Sequence, residues 1–264
     1  MSESSPILEH RVPPPAAATW VERGALPPTP LAVVPGSRHA GWERWSRRQR
    51  HAWEWRRVQA LAGSRLGLTV DLGCGFGDWV TRLAAISERV VAVDLAPGFV
   101  TEASRRLEAS GHRDWRAHCQ DVRTFTAYDR ADLVVLGGVL TYLDDDDALG
   151  VLSRVRERLA RGGLVQQRDW CAVNLGRSHH HVVDGQFRAH RRPAAYRELA
   201  RRAGLVVIEE RASSSLHAEQ LLFQTLGLRR EGPTRRLAPL GRALGRVATA
   251  WATRATVAFF LRRA

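Results

Sequence analysis

Two rhythms alternate along this chain: short apolar runs closed by an acidic residue or a glycine, and longer stretches in which apolar residues recur at helical spacing. Apolar runs of about four to eight residues bounded by turn residues read as buried strands, because they are too short for helices of ordinary length. The first spans Thr69 to Leu72, the second Val90 to Leu95, a third closes at Cys119 to Val122, and a fourth runs from Ala131 to Leu140. A Gly-Gly turn within Arg161 to Asp169 leads into a fifth. Beyond a loop over Cys171 to His190, a helix is predicted from about Pro193 to Ala203, a sixth strand over Leu205 to Ser213 and a closing strand over Thr256 to Arg263. Strands that alternate with helical stretches predict an α/β fold.

The segments outside this alternation differ in character. Residues 1 to 38 hold most of the twelve prolines. Proline removes backbone donors, so an extended or disordered arm is predicted there. From Gly41 to Gly63 the pattern is helical, with Trp42, Trp45 and Trp53 on an arc of about 80°. A helix laid on the sheet edge and an aromatic lid over a ligand both account for that face. Residues 216 to 254 form an insertion before the closing strand, with helical spacing at Leu240, Leu244, Val247 and Trp251. Its arginines, among them Arg229, Arg230, Arg242 and Arg246, permit a helix on a membrane surface, but Trp251 and the alanines fit core or homodimer packing better.

Candidate chemistry concentrates in Thr69 to Asp78, which reads TVDLGCGFGD. Glycines at 73, 75 and 77 let the chain bend sharply and bring backbone amides close to a ligand. A dinucleotide fingerprint needs its third glycine at position 78, where this chain has Asp78. Asp71, just before the glycines, repels a pyrophosphate but suits a cofactor bearing an ammonium and a sulfonium charge, which is S-adenosylmethionine. Asp94 closes the second strand, where a carboxylate accepts ribose hydroxyls. Asp121 closes the third, placed to meet an adenine amino group.

As an ordered set, these motifs resemble the class I S-adenosylmethionine-dependent methyltransferases over roughly residues 40 to 264. The resemblance implies a Rossmann-like seven-stranded sheet in the order 3-2-1-4-5-7-6, its last strand antiparallel, with helices on both faces and here a helical insertion before that strand. It makes residues 39–264 one domain. It implies cofactor contacts from Asp71, Gly73, Cys74, Gly75, Gly77, Asp94, Leu95, Asp121, Val122 and Gly137. Catalytic groups belong after the fourth and fifth strands, because ligands of an open α/β sheet bind beyond the strands' carboxyl ends.

Tyr142, in the segment GGVLTYLD, stands where many small-molecule members of this family carry a histidine. Together with Gln167-Arg168-Asp169 and Gln186-Phe187-Arg188, it is similar to the phosphobase N-methyltransferases. Its hydroxyl orients an amine or moves a proton, or else the ring packs the substrate floor. The loop histidines form a solvated polar loop or else offer a general base, with His181 ahead of His180 because it precedes apolar Val182 and Val183. Arg168, Arg188 and Trp42 are the candidate substrate contacts. Three adjacent histidines in a loop seldom converge on one ion, so no metal site is predicted. Asp144 to Asp147 read as a helix N-cap and first turn.

Composition narrows the partners. The 264 residues are 44% hydrophobic, enough for one substantial core. The formal charge is +13, carried by 40 arginines and no lysine. That uniformity argues for compositional bias over a phosphate-binding surface, while arginine's planar fork still favours an anionic small substrate. Cys74, Cys119 and Cys171 show no metal-ligand spacing and fit a reducing cytoplasm. A signal peptide and a membrane span are not expected. The expected activity is methylation of an oxygen or nitrogen on a small molecule. Nucleic-acid methylation and a non-methylating use of the fold are the alternatives.

Overall fold

The computed structural model describes residues 15–26, 40–173, 176–183, 186–214 and 254–264. Two helices, α1 (Pro15–Gly24) and α2 (Ala40–Ala62), precede the sheet. There follow β1 (Leu66–Leu72), α3 (Val80–Ala84), β2 (Ser87–Asp94), α4 (Pro97–Ala109), β3 (Trp115–Cys119) and β4 (Ala131–Gly137). A short 3-10 turn, Leu140–Tyr142, leads to α5 (Asp145–Arg158) and β5 (Leu159–Ala172). Then come β6 (His179–Val183), β7 (Gln186–His190), α6 (Pro193–Arg202), β8 (Leu205–Ser214) and β9 (Arg254–Arg263).

Seven strands form one sheet in the order β3-β2-β1-β4-β5-β9-β8, while β6 and β7 pair with each other. β9 runs antiparallel to both β5 and β8, and the other pairings in the large sheet are parallel. With the hairpin strands set aside this is the predicted order. β9 reads as a continuous apolar run because it is covered on both faces: Phe259 packs on Tyr196 and Phe260 on Trp53. Strand alternation divides the core. Val91, Val93, Val134 and Leu136 face one side, and Val90, Ala92, Leu133 and Val135 face the other.

Helices follow the same logic. α5 buries Ala148, Val151, Leu152 and Val155, three and four residues apart. Its N-cap is Asp144, whose side chain accepts the Asp147 N–H at 2.8 Å, with Asp145 to Asp147 in the first turn. On α2, Trp53 lies 6.1 Å from Phe260 and Trp55 lies 5.9 Å from Trp79, so these tryptophans pack the helix onto the sheet.

Four expectations are corrected. Pro15 begins a helix inside the arm predicted to be extended, since proline is well suited to the first helical turn. The third strand stops at Cys119, so Asp121 lies beyond it. β4 stops at Gly137, and Leu140 belongs to the 3-10 turn. The loop over 171–190 contains the β6–β7 hairpin. The 216–254 insertion, up to the start of β9, lies outside the described residues, as do residues 1–14 and 27–39.

Candidate active site at the carboxyl edge of the sheet

The glycine turn follows β1 directly. Gly73, Gly75 and Gly77 have φ of 78°, 51° and 79°, in the left-handed region that favours glycine. A side chain at Gly73 would collide with Val139, and one at Gly77 would meet the Ala103 Cα at 3.0 Å. The Gly75 N–H donates to Asp94 Oδ2 at 2.9 Å and the Ala96 N–H to Asp94 Oδ1 at 3.0 Å. Asp94 thereby ties the turn to the start of α4.

Asp71 is 2% exposed, and its Oδ2 has no hydrogen-bond partner. Burial, reinforced by Asp94 and opposed by Arg168, raises its pKa from 3.8 to about 8. Burial also raises Asp94, against the backbone N–H groups that stabilise its charge. A buried carboxylate oxygen without a partner, beside a turn that excludes side chains, fits a cofactor bringing a cation to that point. Cys74 is buried and its thiol pKa is pushed up by burial, so it lines the turn as an apolar group. Leu95 accepts from the exposed Cys119 thiol at 3.6 Å, and Val122 packs on the core. Asp121 accepts from the Arg123 N–H at 2.8 Å and from its guanidinium at 2.6 Å, while Arg123 also reaches Asp147 at 3.0 Å.

The expected substrate residues separate. A side chain on Gly137 would press on Arg168, whose guanidinium donates to the fully buried Glu54 of α2 at 3.0 Å. Arg168 therefore neutralises a buried carboxylate. Trp42 falls on α2, its side chain outside the described residues. Arg188 lies opposite His181 in the hairpin, and its charge acts on Tyr142.

Tyr142 sits in the 3-10 turn under α1. Its ring meets Trp20 edge-on at 4.8 Å, and Trp20 continues to Phe99 at 6.4 Å. Burial raises the Tyr142 pKa, while Arg188 and Arg23 act the other way. Arg23 of α1 donates to Gln186 of β7 at 2.9 Å. The arm thus forms a roof from the Phe76–Phe99 cluster to the hairpin. Trp20 and Arg23 lacked a sequence signal, because a short helix among prolines reads as linker.

Two further groups fix the turn that carries Tyr142. Asp169 accepts the Thr141 N–H and a Gln167 side-chain N–H, each at 3.0 Å, and burial lifts its pKa to about 7. Arg191, 2% exposed, donates to Asp145 at 2.6 Å and to the Leu140 and Leu143 carbonyls at 2.7 Å each. Tyr196 is a core residue against Phe259.

Strand geometry splits the histidines. His180 turns toward Phe187, 5.8 Å between ring centres, and His181 joins His179 and His190. Val182, the next residue along the strand, is 60% exposed and faces the side opposite to His181. The ground for expecting no metal, that loop neighbours diverge, falls with the loop.

Residues 69–163 match a family model described as a methyltransferase domain. Nodulation protein S of Sinorhizobium fredii is 31% identical over 80 residues, 30% of this chain and 36% of that one. The chain thus spans about a third of the length of that curated relative. A 1,6-didemethyltoxoflavin-N1-methyltransferase from Burkholderia thailandensis, solved with 1,6-didemethyltoxoflavin and S-adenosylhomocysteine, superposes with a TM-score of 0.61 at 16% identity, covering 97% of this chain and 93% of that one. A Leishmania major SAM-dependent methyltransferase gives 0.60 at 18% identity, covering 75% of each. The glycine turn, the antiparallel β9 between β5 and β8, and the match over 69–163 converge. By that evidence residues 69–163 are similar to a methyltransferase domain, and the described fold is the one seen in S-adenosylmethionine-dependent methyltransferases.

Proposed function

We propose that this protein transfers a methyl group from S-adenosylmethionine to an oxygen or nitrogen of a small molecule held between α1, the 3-10 turn and β7. The observation that carries the reading is the roof: Trp20 packs on Tyr142 and Arg23 bonds to Gln186, so α1 covers the turn after β4 and one end of β7. A covered site suits a small acceptor better than a polynucleotide, which needs an open basic groove. The Burkholderia enzyme, of the same fold, holds 1,6-didemethyltoxoflavin beside S-adenosylhomocysteine, which supports a small acceptor here.

S-adenosylmethionine, when bound, supplies an activated methyl group. Asp71 would hold its cationic end, Asp94 would accept hydrogen bonds from its ribose hydroxyls, and Asp121 would meet its base. The amides of the glycine turn would be able to approach it closely, since side chains are absent there. α1 excludes water, and Tyr142, protonated at neutral pH, donates a hydrogen bond that orients the acceptor. Arg23 and Arg188, whose charges act on Tyr142, favour an acceptor bearing a carboxylate or phosphate.

Calorimetry with S-adenosylhomocysteine tests the cofactor reading, with one equivalent expected and Asp94→Ala binding at least about 10-fold more weakly through its unpaired hydroxyls. Release of S-adenosylhomocysteine is then followed with small amines, phenols and carboxylic acids, and with RNA. Turnover with RNA alone would give the reading to nucleic-acid methylation. Binding without turnover on any acceptor would favour a non-methylating use of the fold.

A further inference from the structure

The β6–β7 hairpin carries a feature that methyl transfer does not use. Residues directly opposite in an antiparallel pair share a face, as do residues two apart on one strand. His179 pairs with His190 and His181 with Arg188, so three imidazoles and a guanidinium lie on one side of the ribbon. One ring nitrogen from each of His179, His181 and His190 lies within 4.8 Å of the other two. His179 and His181 stack at 5.5 Å, and His190 meets them edge-on at 5.0 and 4.9 Å. His190 is 4% exposed and stacks on Trp170, at the end of β5, with 6.3 Å between ring centres.

A second observation concerns the tautomer. Nδ1 of His179 lies 2.9 Å from the Arg177 carbonyl oxygen. A carbonyl only accepts, so Nδ1 carries a proton, and in the neutral ring Nε2 is the nitrogen with the lone pair. Hydrogen bonds of this kind orient the imidazoles of metal sites.

We propose that His179, His181 and His190 bind one divalent transition-metal ion, of the zinc class. Three imidazoles without a carboxylate suit Zn²⁺ or Co²⁺ and do not suit Mg²⁺ or Ca²⁺, which take oxygen ligands. Tetrahedral geometry with Zn–N of about 2.0–2.1 Å brings three nitrogens to roughly 3.3 Å apart. Side-chain rotation covers the difference, and the strand register is unchanged. The fourth position is left for water or for an oxygen or nitrogen of a bound molecule. The ion cross-links β6 to β7. A two-stranded ribbon is marginal by itself, so this link holds Arg188 and the Gln186 partner of Arg23 in place. A histidine whose lone pair binds an ion cannot take a proton with it, so ligation by His181 excludes its use as a general base.

The test uses the full chain with no polyhistidine tag, stripped with chelator and titrated with Co²⁺ alone and then Zn²⁺. One equivalent of Co²⁺ should bind, show the visible bands of tetrahedral cobalt, and be displaced by Zn²⁺. His179→Ala and His181→Ala should each weaken Co²⁺ binding by about 10-fold or more, and His112→Ala should leave it unchanged. Because the buried His190 risks the fold, His190→Ala is read only alongside its circular dichroism. The absence of a tetrahedral spectrum, or equal affinity in wild type, His179→Ala and His181→Ala, would overturn the proposal.

Discussion

Asp71 holds a carboxyl in a place that disfavours its charge. Its pKa is raised by burial and then by Asp94, from 3.8 to about 8, so the native state binds a proton that the unfolded chain releases across that interval. Stability from this group is complete below the unfolded value and is lost as pH rises through about 8. Asp71→Asn should therefore raise the melting temperature of the unliganded protein by a few degrees at pH 8 and leave it unchanged near pH 3, where about 1 kcal/mol corresponds to roughly 2–4 °C. Cofactor binding runs the other way. A cation beside Asp71 favours the carboxylate, so binding at pH 7 should release a proton, read as calorimetric heats that vary with buffer ionisation enthalpy. The same Asn variant should bind S-adenosylhomocysteine roughly 10- to 100-fold more weakly. Tyr142→Phe removes one hydroxyl under Trp20 and beside two arginines. Turnover should fall by about 10-fold with cofactor affinity preserved, the scale of one hydrogen bond. Undiminished turnover would leave Tyr142 a packing residue.

The elements that decide the site are the two that sequence rhythm describes least well, α1 and the hairpin. α1 seats on the first turn of α4 through a pair of glycines: a side chain on Gly98 would collide with the Gly24 carbonyl, and one on Gly24 would meet the Ala96 Cβ at 3.0 Å. By helix propensity alone Gly98→Ala stabilises α4 by about 1 kcal/mol. The collision reverses the outcome for the roof. Gly98→Ala should make the arm sensitive to limited proteolysis and raise the KM for both substrates, while the global melting temperature changes little. Proteolysis identical to wild type would show that α1 does not need this seat. The hairpin was hidden for a different reason. Of its strands, HHHVV does not alternate between polar and apolar residues and QFRAH alternates over only five positions, so the period of two left too short a hydropathy signal.

For the whole molecule, the net charge is +13, and many of the described carboxylates sit in local pairs with arginine. Arg57 pairs with Glu209, Arg106 with Asp78 and Glu102, Arg197 with Glu210, and Arg201 with Glu198. Pairs of this kind contribute little stability each and leave the net excess of positive charge unchanged. RNA retained in a filter assay at low salt should be released near about 0.15 M, because nonspecific binding falls steeply as counterions compete. Retention there, with a steep salt slope, would move the function toward nucleic acid. Among the described residues no helix is long and apolar enough to cross a membrane.

The sheet and the cofactor turn were legible in the sequence because both depend on local constraints: apolar runs long enough for one strand, and glycines where φ must be positive. The N-cap at Asp144 was legible for the same reason, since a carboxylate satisfies an amide three residues away. Other outcomes depended on partners far along the chain. Arg168 met Glu54, 114 residues away, and became part of a buried pair. Arg23 met Gln186 across 163 residues and made a roof of a segment that composition assigned to an arm. His190 joined His179 and His181 only because β7 turns back on β6. Hydropathy and backbone sterics act between neighbours, so they were enough to place the strands along the chain and the glycine turn after β1, while the order of the strands in the sheet came from the family resemblance. Only the tertiary structure decided which charges pair, what covers the site and which histidines converge, because those outcomes depend on distances set by the packing of the whole sheet.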